Sequence, residues 1–202
     1  MILHGRFLSP FVRRVAIWMS LQGRAFEHRP LMVTGPDFET LKTINPMGRV
    51  PALTLDDGTT LVETFAIVDW LEETAAPEQR LLPPSGEARR GALQAVACAN
   101  TLAEKAVALV YETVRRPEAY HWADWIARVQ SQVATSLDLL EAHAPETGFG
   151  GGDQPTGATA AVVAGFDFVG HALPHLVAEG YPRLKALSER ANALPAFSAN
   201  KP

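Results

Sequence analysis

The 202-residue chain contains a single cysteine, Cys98, and therefore cannot form an internal disulfide or a paired-cysteine redox or zinc site. Cys98 lies in the helical stretch LQAVACANTLAEKA, where we expect a buried and unreactive thiol. Apolar stretches are too short, or too often interrupted by glycine and proline, to predict a membrane span. No basic-then-apolar leader opens the sequence. These absences favour a soluble, cytoplasmic protein.

Positive charge is also scarce, with 18 lysines and arginines against 22 acidic residues and a formal net charge of -4. This balance argues against a dedicated nucleic-acid or acidic-membrane binder. The arginine pairs at 13–14, 89–90 and 115–116 are isolated, and we expect them on solvated helix faces. A hydrophobic content of 47% is sufficient for one large core or two small ones.

Three common site motifs are missing or incomplete. GFGGGD at 148–153 lacks the Lys-Ser/Thr of a phosphate-binding P-loop and is interpreted as a flexible loop. His171 and His175 have a metal-ligand spacing, but Pro174 lies between them and no third ligand follows, so no metal site is predicted. No Gly-x-Ser-x-Gly elbow is present, which leaves a serine-hydrolase role for Ser9 without support.

Strand and helix signals alternate up to about residue 75. Short strands are predicted in MILHG, FEHRPLM, VPALTL and TTLVE, and the last two flank Asp57-Gly58, a dipeptide typical of a tight hairpin. Helices are predicted over 10–22, 37–44 and 63–74. This order predicts a small mixed sheet with helices packed on it.

The second part of the chain contains only helical patterns. They cover 87–115, 121–143, the uniformly apolar ATAAVVAGFDFVGHAL, and 181–194. The second helix has one apolar stripe, formed by Trp122, Ile126, Val129, Val133, Leu137 and Leu140. The third helix is apolar on nearly all sides and is expected at the centre of a bundle. Two domains follow, an α/β domain over 1–76 and an all-helical domain over 87–202.

The segment SPFVRRV begins the first helix with Ser9 at the N-cap and Pro10 at the first helical position. Capping alone accounts for both residues. A functional interpretation is also possible, because an anion near Ser9 would meet the positive end of the helix dipole and a hydroxyl donor together.

Two later segments allow a similar choice. NPMGRVP is either a turn or a loop with a cis proline at Pro51, which would offer the Val50 backbone to an extended peptide. In VETFAI, Glu63 and Thr64 either begin a helix or form a site. In such a site the acid would hold an ammonium, and the hydroxyl and helix N-terminus would hold a carboxylate.

These motifs, in this order and followed by a helical domain, resemble the glutathione S-transferase family over essentially the whole chain. SPFVRRV is similar to the active-site helix start, NPMGRVPAL to the cis-proline segment, and ETFAIVDWLEE to the γ-glutamyl-binding helix. YPRLKALSERANALPAF is similar to the end of the helical domain. The resemblance implies a thioredoxin-like α/β first domain, an all-α second domain, a homodimer, and glutathione as co-substrate without a metal.

The resemblance also implies roles for individual residues. Ser9 would activate the glutathione thiol, and Val50 would pair with the cysteinyl main chain. Arg49 would meet the glycyl carboxylate, while Glu63 and Thr64 would bind the γ-glutamyl end. Phe11 and Pro51 would also bind glutathione. Tyr111 would line the pocket for a small hydrophobic electrophile.

The family's usual Ser/Thr-x-x-Asp capping box is altered here to Thr156-x-x-Thr159, which predicts a cap through Thr156 without the reciprocal carboxylate contact. The leading hypothesis is a detoxifying transferase that directs the glutathione thiolate at an electrophile. A glutathione-dependent isomerase or dehalogenase, and a non-catalytic glutathione-binding or protein-interaction module, share the same scaffold and stay open.

Overall fold

The structure, a computed structural model, describes residues 1–144 and 154–202, and the predicted loop at 148–153 therefore lies outside the described residues. The chain divides into two compact units. The first comprises Met1–Leu82 and Asn192–Pro202, and the second comprises Pro83–Ala191.

The first unit contains a four-stranded mixed sheet in the order β2-β1-β3-β4. Strand β1 pairs in parallel with β2 and antiparallel with β3, while β3 and β4 form a hairpin. The hairpin turn has Gly58 at φ 87° and Asp57 Oδ1 accepting from the Thr59 amide at 2.8 Å. The predicted strands are confirmed, with these bounds: Ile2–His4 (β1), Glu27–Arg29 (β2), Ala52–Thr54 (β3) and Thr60–Val62 (β4).

Three helices of the first unit follow their predicted bounds within one residue: Pro10–Leu21 (α1), Asp37–Ile44 (α2) and Thr64–Glu73 (α3). Helix α1 packs against β1 and α3, and every residue from 12 to 19 is buried. The hydrophobic effect therefore fixes α1 at the centre of this unit. The predicted thioredoxin-like α/β class is confirmed.

The second unit is a bundle of helices, Gly86–Val110 (α4), Ala123–His143 (α5) and Gly157–Ala172 (α6), with most of Pro182–Asn192 (α7). Helix α6 packs on α4, and Gly165 lies so close that a Cβ there would be 3.4 Å from the Ala99 carbonyl oxygen. Twelve of the 16 residues of α6 are buried, which confirms its predicted place at the centre of the bundle.

Three predictions for the second unit need correction. Trp122 precedes α5 and is 63% exposed, so the buried stripe begins further along the helix. Cys98 is half-buried rather than buried, because it lies on the α4 face that lines an open groove beside α5. The segment Gly86–Arg115 is long and apolar enough to cross a bilayer, contrary to expectation. These properties are weak grounds for a membrane span, because core helices share them and α4 buries Leu102 in the bundle.

The capping box of α6 is complete although, as predicted, it has no carboxylate. The Thr159 amide donates to Thr156 Oγ1 at 3.2 Å, and the Thr156 amide donates to Thr159 Oγ1 at 3.1 Å. A hydroxyl therefore replaces the family's usual carboxylate, and the backbone amides of Thr156 and Thr159 are both satisfied.

The arginine pair of α1 is buried, which corrects the expectation of a solvated face. Arg13 is 1% exposed and Arg14 is 5% exposed. The Arg14 guanidinium lies 5.5 Å from the centre of the Trp18 ring, and burial lowers the pKa of Arg14 to about 10.

The C-terminal segment Asn192–Pro202 groups with the first unit, whereas the predicted boundary placed it with residues 87–202. Its short helix Pro195–Ser198 (α8) packs on α1 and buries Phe197 completely. Arg13 provides the polar contacts, donating through Nε to the Asn200 carbonyl at 3.1 Å and through Nη2 to Asn192 Oδ1 at 2.8 Å. A buried guanidinium needs such acceptors, and the tail supplies them.

Candidate active site

Ser9 caps helix α1, as predicted. Its Oγ accepts from the Val12 amide at 3.4 Å, which is long for an N–H···O bond, and Pro10 occupies the first helical position. In the described part of the chain, no acceptor takes the hydrogen of the Ser9 hydroxyl. The oxygen can therefore cap the helix while the hydrogen is donated to a ligand, and the two roles do not compete.

Gly5 connects this helix start to the segment around Val50. It adopts φ 118°, a conformation that favours glycine, and a Cβ at this position would lie 2.6 Å from Val12 Cγ2 and 2.8 Å from Val50 Cβ. The first turn of α1 and residue 50 thus approach each other across Gly5. Sequence analysis missed this role, although a glycine directly after a strand is a signal for a close approach.

The Val50–Pro51 peptide bond is cis, as the second of the two sequence interpretations suggested. Neither the amide nor the carbonyl of Val50 has a main-chain partner among the described residues. An N–H and a C=O available just before the start of β3 can pair with an extended peptide in the manner of an added strand.

Asn45 holds the loop that presents Arg49 and Val50. It is 1% exposed, its Nδ2 donates to the Arg49 carbonyl at 2.8 Å, and its Oδ1 accepts from the Met47 amide at 3.1 Å. Sequence analysis did not assign this role. The signal was the Asn-Pro dipeptide, since asparagine side chains bond to the main chain of the turns they begin.

Glu63 stands between the end of β4 and the first residue of α3, Thr64. Its φ of 69° and ψ of 132° are unusual for a residue with a side chain, and such strained conformations cluster at functional sites. Thr64 is buried, and within the described residues its hydroxyl has no hydrogen-bond partner. The first amides of α3 are free of intrahelical partners, so this turn can bind a carboxylate.

Arg49 and Glu63 lie together, with Nη1 and Oε1 3.5 Å apart and both side chains about half exposed. A pair this exposed contributes little to stability. The sequence analysis assigned these two charges to opposite ends of one ligand. Both assignments require the pair to separate when the ligand binds.

The remaining predicted residues are placed less specifically. Phe11 lies half-buried in the first turn of α1, and Pro51 is buried. Tyr111 belongs to the second unit, where it follows α4, is 46% exposed, and lies below the Arg115 guanidinium at 5.9 Å. Its place in an electrophile pocket stays a prediction. Over 1–144 and 154–202, no group of three or more His, Cys, Asp or Glu side chains is arranged to hold a metal ion.

Sequence comparisons identify the family. The family model for the glutathione S-transferase N-terminal domain matches residues 3–79, and that for the glutathione S-transferase C-terminal domain matches residues 123–190. The chain is 32% identical to glutathione S-transferase 3 of Zea mays in an alignment of 205 positions that covers 96% of this chain and 90% of that protein. It is also 41% identical to maleylacetoacetate isomerase of Mus musculus, over 44% of this chain and 42% of that protein.

The fold gives the same result. A glutathione transferase family member from Pseudomonas fluorescens Pf-5, crystallised with bound glutathione, superposes with a TM-score of 0.86 at 27% identity, covering 100% of this chain and 98% of that chain. The chain belongs to the glutathione S-transferase family, which confirms the family predicted from the three motifs.

Proposed function

We propose that the protein is a glutathione transferase that binds glutathione on its first unit and directs the thiolate at a small electrophile. The observation that carries the proposal is the Ser9 hydroxyl at the N-terminus of α1, whose hydrogen has no acceptor within 1–144 and 154–202, while Val50 approaches the same turn across Gly5. A hydroxyl donor and a strand-pairing main chain are the two groups that a bound cysteinyl residue needs.

The chemistry follows from the thiol. A free thiol has a pKa of about 8.5 and is mostly protonated at neutral pH. Donation from Ser9, together with the positive end of the α1 dipole, favours the thiolate, and the proton leaves to solvent. The thiolate sulfur then forms a bond to an electrophilic carbon. In a substitution that carbon expels its leaving group with the bonding electrons, and in an addition to an activated double bond the neighbouring carbon takes up a proton from solvent.

The charged ends of glutathione have candidate partners on the same unit. Glu63 would accept a hydrogen bond from the γ-glutamyl ammonium. The γ-glutamyl carboxylate would accept hydrogen bonds from the Thr64 hydroxyl and the first amides of α3. Arg49 would meet the glycyl carboxylate. The Val50 main chain would pair with the cysteinyl residue between them, supported by the similarity to the glutathione-bound structure from Pseudomonas fluorescens.

Glutathione should stabilise the protein, because it binds the folded chain and has no site in the unfolded one. At one hundred times the dissociation constant, the free energy of unfolding should increase by about 2.7 kcal/mol. Calorimetric titration and thermal melting with millimolar glutathione measure this. Absence of both a binding heat and a melting shift would contradict the proposed function, and ophthalmic acid, which lacks the thiol, serves as the control for thiol-independent binding.

Glu63→Gln should weaken glutathione binding roughly tenfold or more, because a charge-assisted hydrogen bond contributes about 1.5–3 kcal/mol. Arg49→Ala should weaken it less, because losing Arg49 also frees Glu63 from the ion pair that the ligand must open. Neither change should move the melting temperature of the empty protein, since the pair is exposed. Calorimetric dissociation constants for glutathione test this order of affinities. Weaker glutathione binding by Arg49→Ala than by Glu63→Gln would contradict it.

Glutathione-dependent isomerisation is the second candidate, favoured by the similarity to the mouse maleylacetoacetate isomerase. An isomerase adds the thiolate to its substrate, allows rotation, and releases glutathione unchanged. Measurement of glutathione consumption against product formation separates the two reactions. Consumption equal to product supports conjugation, and turnover without consumption supports isomerisation.

Homodimerisation, a cytoplasmic location and a role in detoxification stay predictions of the family resemblance. Exposed apolar side chains support a dimer, notably Phe65 at 80% and Leu93 on α4, with Leu139 on α5 lining a groove of about 310 Å³. Light scattering coupled to size exclusion measures the assembly directly, and the mass of a single 21.9 kDa chain at micromolar concentration would contradict it.

A further inference from the structure

His28 contacts the loop between β1 and α1 in two ways. Its Nε2 lies 2.8 Å from the Gly5 carbonyl oxygen, and its ring stacks on Phe7 with 3.7 Å between ring centres and 4° between planes. A carbonyl oxygen only accepts, so Nε2 carries the hydrogen and donates it. One side chain of β2 thus binds both the first residue of the loop and a residue at its middle.

The loop is short and leads directly to Ser9. Gly5 follows β1, its amide donates to the Arg29 carbonyl at 2.9 Å, and its carbonyl accepts from His28. The same residue has no room for a side chain between Val12 and Val50. Both peptide groups and the Cα of Gly5 are therefore fixed by neighbours, and His28 contributes the side-chain hydrogen bond among these contacts.

We propose that His28 is a positioning residue for Ser9, acting through the Gly5 carbonyl and the Phe7 ring on the loop that Ser9 ends. The inference rests on the proposed function. Catalytic hydrogen bonds depend steeply on geometry, and a displacement of about 1 Å can cost roughly a hundredfold in rate. Without His28, the loop loses one of its hydrogen bonds and its stacking partner, and the Ser9 hydroxyl is aimed less accurately at the thiol.

The test uses two variants of His28 in the full chain. His28→Phe keeps a flat ring for stacking but removes the donor, whereas His28→Gln keeps an amide donor and removes the ring. A matched control is His143→Leu, because His143 also contacts a main-chain carbonyl, that of Leu139, through a ring nitrogen at 2.8 Å in the second unit. Ultraviolet thiolate absorbance of bound glutathione against pH is the readout, supplemented by kcat and KM.

His28→Phe should raise the pKa of the bound thiol by about one unit and lower kcat about tenfold at neutral pH, with a smaller change in KM. His28→Gln should recover most of the wild-type pKa, and His143→Leu should leave it unchanged. Titrations of all three that match the wild type would overturn the positioning role. So would a lower kcat in His28→Phe with an unchanged thiol pKa, since that pattern reflects a general loss of structure.

The outcome for the wild type separates this inference from the proposed function. A wild-type protein that binds glutathione and lowers its thiol pKa, with His28 variants that do the same, rejects the inference alone. A wild-type protein that does not bind glutathione rejects the proposed function and this inference with it. Melting curves of each variant establish a temperature at which it is folded, and the titrations are made below that limit. If His28→Phe does not fold, His28→Leu replaces it with the same expectation.

Discussion

Glu72→Ala should lower the free energy of unfolding of the first unit by about 3–5 kcal/mol. The Glu72 carboxylate is 9% exposed and accepts four hydrogen bonds. Oε1 accepts from Trp18 Nε1, Gln22 Nε2 and the Leu81 amide, each at 3.0 Å, and Oε2 accepts from the Leu82 amide at 3.1 Å. Removal of the carboxylate leaves these donors without an acceptor in a buried place, among them Trp18 on α1 and Gln22 directly after it.

Urea unfolding followed by tryptophan fluorescence measures the loss, because the Trp18 indole donates to this carboxylate. Glu73→Ala is the matched control, since the neighbouring glutamate in the same helix is exposed and its loss should change stability by less than about 0.5 kcal/mol. Glu72→Gln should fall between the two, because one amide oxygen remains as an acceptor. Equal midpoints for Glu72→Ala and Glu73→Ala would show that the network contributes nothing.

Ser9→Ala should raise the pKa of bound glutathione towards about 8.5 and slow conjugation roughly a hundredfold. The loss of the cap should cost only about 0.5–1 kcal/mol of stability, because the Ser9 Oγ to Val12 amide contact is long at 3.4 Å. A large rate effect with a small stability effect is the signature of a donor to the thiolate. Thiolate absorbance of bound glutathione against pH measures the thiol pKa, and turnover of a model electrophile measures the rate.

Ser9→Asp separates capping from activation. An aspartate keeps an oxygen for the cap, so stability should be retained, but its charge repels a thiolate and should raise the thiol pKa further than alanine does. Ser9→Cys should differ again, because a cysteine at a helix N-terminus tends to a low pKa and can form a mixed disulfide with oxidised glutathione. Identical thiol titrations in wild type, Ser9→Ala and Ser9→Asp would reduce Ser9 to a helix cap.

The sequence predicted those features that depend on residues close along the chain. The cap at Ser9, the Asp57-Gly58 hairpin and the α6 start at Thr156 each involve partners within a few positions, so local chemistry is enough to specify them. The uniform apolarity of α6 predicted its central place for the same reason, since no polar face is available to meet water.

The prediction of the site succeeded in part for a different reason. The order of SPFVRRV, NPMGRVP and VETFAI resembled a known family, and the resemblance supplied an arrangement that no single segment implies. The strained φ of Glu63, the pairing of Arg49 with Glu63 and the supporting role of Asn45 were not predicted. Each depends on how two segments meet, and side-chain type alone does not record that.

The sequence by itself determined the local starts, turns and apolar faces of this protein, because those follow from neighbours in the chain. Only the tertiary structure decided which charged side chains are buried and which groups they bond to. The sequence predicts a solvated Arg13, but in the fold its guanidinium donates to the Asn200 carbonyl, 187 positions away. Nothing local to Glu72 indicates burial either, and its carboxylate accepts from Trp18, 54 positions away. A charge can leave water only where partners replace it, and in this fold those partners come from distant parts of the chain.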